Sequence, residues 1–153
     1  MKTLLIIPAY NEEESLKLTI DSIYAVNAEV DFLVVNDGSK DGTVEVCREN
    51  QYPFLDLPTN LGLAGALQAG MKYAYRHGYD CVIQFDADGQ HLPEYIKPLE
   101  EAVKPSDIAI GSRFVDKKTC FYAHVWQQLN FYCNKNYYRQ IFEGPNFWYA
   151  CIQ

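Results

Sequence analysis

Histidine is scarce in this 153-residue chain, with only three, and the five cysteines at 47, 81, 120, 133 and 151 form no C-x-x-C pair. Cys47 and Cys81 fall within ordinary helix and strand patterns, which argues against a zinc site or a framework of structural disulfides. Positive charge is also short: 13 Lys and Arg face 20 Asp and Glu, a formal charge of −7. Residues 119–153 hold only Lys135, Arg139 and Glu143, so that tail is +1 and the first 118 residues are −8. An acidic body argues against a nucleic-acid partner, although not against nucleotides, whose phosphates a metal can meet. Long apolar runs are missing too. Met1–Ile7 is a short apolar stretch with one basic residue, interrupted at once by Pro8 and an acidic segment. It has no small-residue cleavage site and is far too short to span a bilayer, so no signal peptide and no transmembrane segment are expected, and the protein is placed in the cytoplasm. There is no G-x-G-x-x-G fingerprint, no Walker loop and no serine nucleophile elbow.

What the chain does have is Gln84-Phe85-Asp86-Ala87-Asp88-Gly89-Gln90-His91. An apolar run ending at Phe85 reads as a buried strand, and Pro93 suits the first turn of a following helix. Asp86 and Asp88, spaced i and i+2 on extended chain, point to one side, and two like charges so close call for a positive charge between them. Carboxylate oxygens, with Gln90 as a further oxygen, suit Mg2+ or Mn2+. The bland alternative is a polar turn capping the next helix.

In order, the chain alternates strand and helix. Thr3–Ile7 is a doubly buried strand, and Asn11 with Glu14 marks a helix start whose apolar face carries Leu16, Ile20, Ile23 and Tyr24. Asp31–Val35 is a second strand, Val44–Glu49 a helix and Phe54–Leu57 a third strand. A helix rich in small residues runs from about Asn60 to His77, its Gly62, Gly65, Ala66, Ala69 and Gly70 permitting close approach to a sheet or ligand. Gly78 stops it. Cys81–Phe85, the helix Glu94–Val103 and Asp107–Ile110 follow. There is no repeat and no linker, and the alternation implies one mostly parallel sheet with helices on both faces.

Such sheets bind ligands beyond the carboxyl ends of their strands. Four polar loops fall there: Pro8–Asn11, Asn36–Ser39, Asp86–Gln90 and Gly111–Arg113. Together they offer carboxylates for a metal and for ribose or base groups, Arg113 for phosphate and Tyr10 for stacking. His91 reads as a polar residue of its loop.

The motifs Ile7-Pro8-Ala9-Tyr10-Asn11-Glu12, Val35-Asn36-Asp37-Gly38-Ser39 with Asp41-Gly42-Thr43, Asn60-Leu61-Gly62 with Gly65-Ala66, Asp86-Ala87-Asp88-Gly89-Gln90-His91 and Gly111-Ser112-Arg113-Phe114 occur in that order. This ordered set resembles family 2 glycosyltransferases of the GT-A fold, and the D-A-D-G-Q-H variant is most similar to polyprenyl-phosphate sugar transferases and their bacterial relatives. The resemblance covers residues 3 to about 115. It implies an inverting transferase using a UDP- or GDP-linked sugar with Mg2+ or Mn2+ and a lipid-phosphate or glycan acceptor, which would bring it to a membrane. By the same resemblance Pro8, Ala9, Tyr10 and Glu12 contact the nucleotide, and Asp37 the base or ribose. Asp86, Asp88 and Gln90 hold the metal on the diphosphate, and Arg113 meets phosphate. The acceptor base, which in this family comes from a later carboxylate, has no counterpart. A non-catalytic nucleotide-binding domain of the same doubly wound type is the rival; a nicotinamide-dependent oxidoreductase is disfavoured by Pro8 and Tyr10 where glycines are needed.

From Thr119 the pattern changes. Residues 119–153 contain 11 of the 22 aromatics and three of the five cysteines, with a single acidic residue and little periodicity. A divergent tail packing on the sheet or a partner is one reading, and a membrane-surface segment lacking the needed basic face is another. The genetic code offers a third. Read one nucleotide later, the unique Trp codon forces glycine at Trp126-Gln127 and at Trp148-Tyr149. Glu143–Cys151 then permits K-D-P-T-S-G-M-R-V and Ala123–Trp126 permits R-M-F-G, which resemble the missing family motifs. Residues 116–153 are therefore expected to be out of frame after a slip near Lys117-Lys118, leaving 1–115 as the donor half of a domain truncated on its C-terminal side. Sequencing the gene across these codons is expected to show a displaced reading frame continuing beyond residue 153; an uninterrupted native frame would sink this expectation.

Overall fold

The computed structural model describes residues 1–26, 29–89, 91–104, 108–111 and, as main chain, 148–152. Strand β1, Thr3–Ala9, is followed by helix α1, Leu16–Val26, strand β2, Asp31–Asn36, and helix α2, Thr43–Glu49. Strand β3, Phe54–Asp56, helix α3, Gly62–Arg76, and strand β4, Cys81–Gln84, come next. A 3₁₀ turn at Pro93–Tyr95 leads into α4, Ile96–Val103, then β5, Ile108–Gly111, and β6, Trp148–Ile152. The six strands form one sheet in the order β3-β2-β1-β4-β6-β5. Every pairing is parallel.

Parallel strands require crossovers, and the helices supply them while covering both faces. Along β1 the side chains alternate between two cores. Leu5, Ile7 and Ala9 join Leu16, Ile20 and Ile23 of α1, Cys47 of α2 and Ile96, Leu99 and Val103 of α4. Leu4 and Ile6 face the other way, against Ala66, Leu67, Met71 and Ala74 of α3. The α/β architecture expected from the sequence is thus present, with, among the described residues, three helices on one face and one on the other.

Several boundaries move. Helix α1 begins at Leu16 and not beside Asn11, because Asn11 takes a left-handed backbone, φ 59°, that breaks the helical path. Strand β4 ends at Gln84, and Ala87 and Asp88 lie in a turn and not on extended chain. The sixth strand comes from the stretch expected to be out of frame. Residues 112–147, with the expectations attached to them, and Asp107 lie outside the described residues. Gly78, φ 69°, stops α3 and donates its N–H to the Tyr75 carbonyl at 3.3 Å, as a glycine stop requires.

The small-residue face of α3 does bring it close to the sheet. A Cβ built on Gly70 would lie 2.6 Å from Ile6 Cγ2, in the middle of the second core. Ile6 is β-branched and fully buried, so it has little room to yield. Gly70→Val is expected to destabilise the fold by about 1–3 kcal/mol through overpacking, read as a lower urea midpoint; an unchanged midpoint would show that α3 does not pack this closely.

Candidate functional site

The carboxyl end of β1 delivers Pro8 and Ala9, and the chain then turns through Tyr10 and Asn11. This loop is stitched to the one after β2 by reciprocal hydrogen bonds. Asn11 N–H donates to Ser39 Oγ at 2.9 Å, and Lys40 N–H donates back to Asn11 Oδ1 at 2.9 Å. Glu12 N–H donates to Thr43 Oγ1 at 2.9 Å and Glu13 N–H to Asp41 Oδ2 at 3.1 Å. Gly42 N–H closes the set on Glu13 Oε2 at 2.9 Å. Polar residues that look in the sequence like ordinary turn formers therefore join two loops into one rigid rim. The Glu12 carboxylate accepts the Ser15 hydroxyl, and its carbonyl takes the N–H of Leu16 at 2.9 Å to open α1.

At the end of β2, Asp37 is almost wholly buried. Its N–H donates to the Ala9 carbonyl at 2.9 Å, and its Oδ1 accepts the Leu61 N–H at 2.7 Å. The carboxylate is thus fixed between β1 and the start of α3. The group that holds it is a neutral main-chain dipole.

Beyond β4, the Asp-Ala-Asp turn is held from three directions. Gln84 Nε2 donates to Asp86 Oδ1 at 2.9 Å. The Thr19 hydroxyl of α1 donates to the Ala87 carbonyl at 3.0 Å. Asp86 N–H donates to His91 Nδ1 at 2.8 Å, while His91 Nε2 lies 3.5 Å from Asp86 Oδ2. His91 is 5% exposed and stands edge-on to buried Phe85. It is not a bystander of a polar loop but part of the core beneath it. The sequence pointed to none of these three supports, although Gln84 in an apolar strand and Thr19 on the apolar face of α1 were legible signals, since buried polar groups need partners. For His91 no such pattern exists.

Pro8, Ala9, Tyr10, Glu12, Asp37, Asp86 and Asp88 line one cavity of about 240 Å³ together with Ala87, and with Leu63 and Ala66 of α3 as an apolar wall. Three of the four expected loops converge on it. Gln90, Arg113 and so the metal and phosphate assignments made for them lie outside the described residues. Among the described residues no group of three or more His, Cys, Asp or Glu forms a metal cluster. Two carboxylates on one cavity wall nevertheless fit the way Mg2+ is commonly held, by one or two carboxylates completed by water and substrate phosphate oxygens. Cys47 and Cys81 play no part: burial pushes their thiols up to about 11 and about 12, leaving them protonated and inert.

A parallel sheet in this strand order, with helices on both faces and polar loops at its carboxyl edge, defines an α/β protein, and the fold and family matches make it one of the GT-A type. The crystal structure of residues 1–349 of S. aureus TarS shares the fold, with a TM-score of 0.59 at 23% identity over 77% of this chain and 37% of that one. The model of glycosyl transferase family 2 matches residues 4–150, and the chain belongs to that family. It is 42% identical over 120 residues to the undecaprenyl-phosphate mannosyltransferase of Micrococcus luteus, a match covering 75% of this chain and 49% of that protein. It is 39% identical over 121 residues to the polyprenol monophosphomannose synthase of Mycolicibacterium smegmatis, covering 74% and 46%. The dolichol-phosphate mannosyltransferase of Pyrococcus furiosus is 40% identical over 124 residues, covering 75% and 34%. The chain spans about half the length of the first two of these relatives or less. The resemblance drawn from five motifs in order is borne out.

The stitched rim carries a pH signature. Burial pushes the Asp41 carboxyl up, but hydrogen bonds from the Thr43 hydroxyl and the N–H groups of Glu13 and Thr43 outweigh it and hold the pKa below its usual 3.8. A depressed carboxyl stabilises the fold above the unfolded pKa and loses that effect as pH falls through the folded one. Asp41→Asn is expected to lower the thermal midpoint at neutral pH, with the gap to wild type closing in acid; a gap that persists unchanged below the carboxylate range would remove Asp41 from this role.

Proposed function

We propose that this chain forms the donor side of an inverting glycosyltransferase that takes its sugar from a UDP- or GDP-linked donor with Mg2+ or Mn2+ bound. The observation that carries the reading is the convergence of seven motif residues from three loops on one cavity. Tyr10, 44% exposed at the rim, offers a face for the base. Asp37, fixed by the Leu61 N–H, is suited to accept hydrogen bonds from base or ribose, and Pro8, Ala9 and Glu12 complete that end. Asp86 and Asp88 would hold the cation, with Gln90 as a further ligand and Arg113 on phosphate, as the motifs assign them. Once bound, the cation would neutralise the charge that develops on the leaving diphosphate.

The names of the relatives point to a polyprenyl-phosphate acceptor, which would draw the protein to a membrane surface from the cytoplasmic side. Among the described residues no helix is long and apolar enough to cross a membrane. A phosphate monoester has its second pKa near ~6, so such an acceptor arrives with an ionised nucleophilic oxygen. An acceptor of this class lessens the need for the base that the sequence does not supply. Residues 116–153 are proposed to be out of frame, so that this chain binds donor but transfers sugar poorly.

The test is a thermal melt of the chain with UDP, GDP and their sugars, each with and without Mn2+, repeated on Asp88→Ala. A ligand binding only the folded state at a hundredfold excess over its dissociation constant adds about 2.7 kcal/mol. A Mn2+-dependent rise for one nucleotide family, lost in Asp88→Ala, is expected. Binding that ignores Mn2+ would favour the non-catalytic nucleotide-binding rival, and no shift with any donor would refute the reading.

A further inference from the structure

Asp86 is contacted at its main chain and at both carboxylate oxygens, and the contact on its main chain comes from one imidazole. His91 Nδ1 accepts the Asp86 N–H at 2.8 Å. To do so it must carry a lone pair, so in the neutral ring the proton sits on Nε2. That nitrogen faces Asp86 Oδ2 at 3.5 Å, too long for a strong hydrogen bond and close enough to orient the oxygen electrostatically. The ring cannot turn to another partner easily, because it is 5% exposed and wedged edge-on at 5.5 Å against Phe85, which is fully buried. Gln84 takes the other carboxylate oxygen at 2.9 Å. Main chain, Oδ1 and Oδ2 of one residue are thus each addressed by a different group, two of them from the same histidine.

We propose that His91 is a positioning residue: by accepting the Asp86 N–H it locks the turn so that the Asp86 carboxylate meets the cavity in one orientation. This rests on Asp86 and Asp88 being the cation-holding pair. A ligand that must be rotated into place on binding loses affinity to that ordering, and groups that orient ligands typically contribute 10–100-fold to metal affinity. The alternative is that His91 only fills space under the turn. The two differ in which substitute would serve. Asparagine places its side-chain oxygen about where Nδ1 lies and can still accept the N–H. Phenylalanine fills the same volume and accepts nothing.

The experiment titrates Mn2+ into the full chain, followed by electron paramagnetic resonance, for wild type, Asp88→Ala, His91→Asn and His91→Phe. In parallel, amide hydrogen exchange follows the Asp86 N–H, and long-range proton–nitrogen NMR identifies the wild-type His91 tautomer. Expected are Mn2+ binding lost in Asp88→Ala, roughly 10–100-fold weaker in His91→Phe and within a few-fold of wild type in His91→Asn. Asp86 N–H protection should be kept in the Asn variant and lost in the Phe variant, and wild-type Nδ1 should be unprotonated. If Mn2+ binds and Asp88→Ala abolishes it, but His91→Phe matches wild type or His91→Asn is as weak as Phe, the donor site stands and the positioning role falls. If wild type binds no Mn2+, both fall together. Should His91→Phe fail to fold, the Asn variant and the tautomer decide: a weak Asn variant or a protonated Nδ1 overturns the proposal.

Discussion

The main-chain carbonyls of Ile6 and Ala9 accept the N–H groups of Phe85 and Asp37 at 2.9 Å each, so the ladders on the two sides of β1 run directly into the two acidic loops. Strand β1 pairs with β2 from Leu4 to Ala9 and with β4 from Thr3 to Ile6. A parallel register cannot slip by one residue here without moving Leu4 and Ile6 into the wrong core. The apolar alternation that fixes the register therefore also fixes where Asp37 and Asp86 emerge. The emergence of the two loops is set in the core, by Leu4–Ile7, which do not line the cavity.

Once the loops emerge, the difficulty is electrostatic. Glu12, Asp37, Asp86 and Asp88 line one small cavity, and like charges gathered in one place repel one another. The supports the structure provides are mostly neutral donors: the Ser15 hydroxyl, the Leu61 N–H, the Gln84 amide. Ion pairs such as Lys17–Asp21 and Lys104–Glu101 lie instead on exposed helix surfaces. Neutral donors fix the oxygens in space and leave the charge in place.

Much of this was legible in the residues. The doubly buried strands announce themselves as apolar runs, and the loops at their carboxyl ends follow from the alternation with helices, so seven residues of the cavity could be named from the sequence. What was not legible depends on contacts distant in the chain. Asn11 looks like a helix cap and is instead the link to Ser39 and Lys40, 28 and 29 residues away. Thr19 reaches Ala87 across 68 residues, a pairing no local period encodes. Strand β6 was hidden for a different reason. Ladder bonds read the main chain, and Trp-Tyr-Ala-Cys-Ile has the aromatic bias of a strand, but the tail's eleven aromatics recur along its length, so that bias alone does not single this stretch out.

Strand β6 occupies the slot between β4 and β5, on the side of β4 away from β1 and β2. The three loops that line the cavity follow β1, β2 and β4, whose pairings with one another are complete on the β1 side without β6 or β5. What lies beyond β4 is the outer part of the sheet, where β6 pairs with both β4 and β5. The described loops that line the cavity thus depend on the pairing of β2 and β4 with β1. A defect confined to β5 and β6 should therefore leave this lining in place.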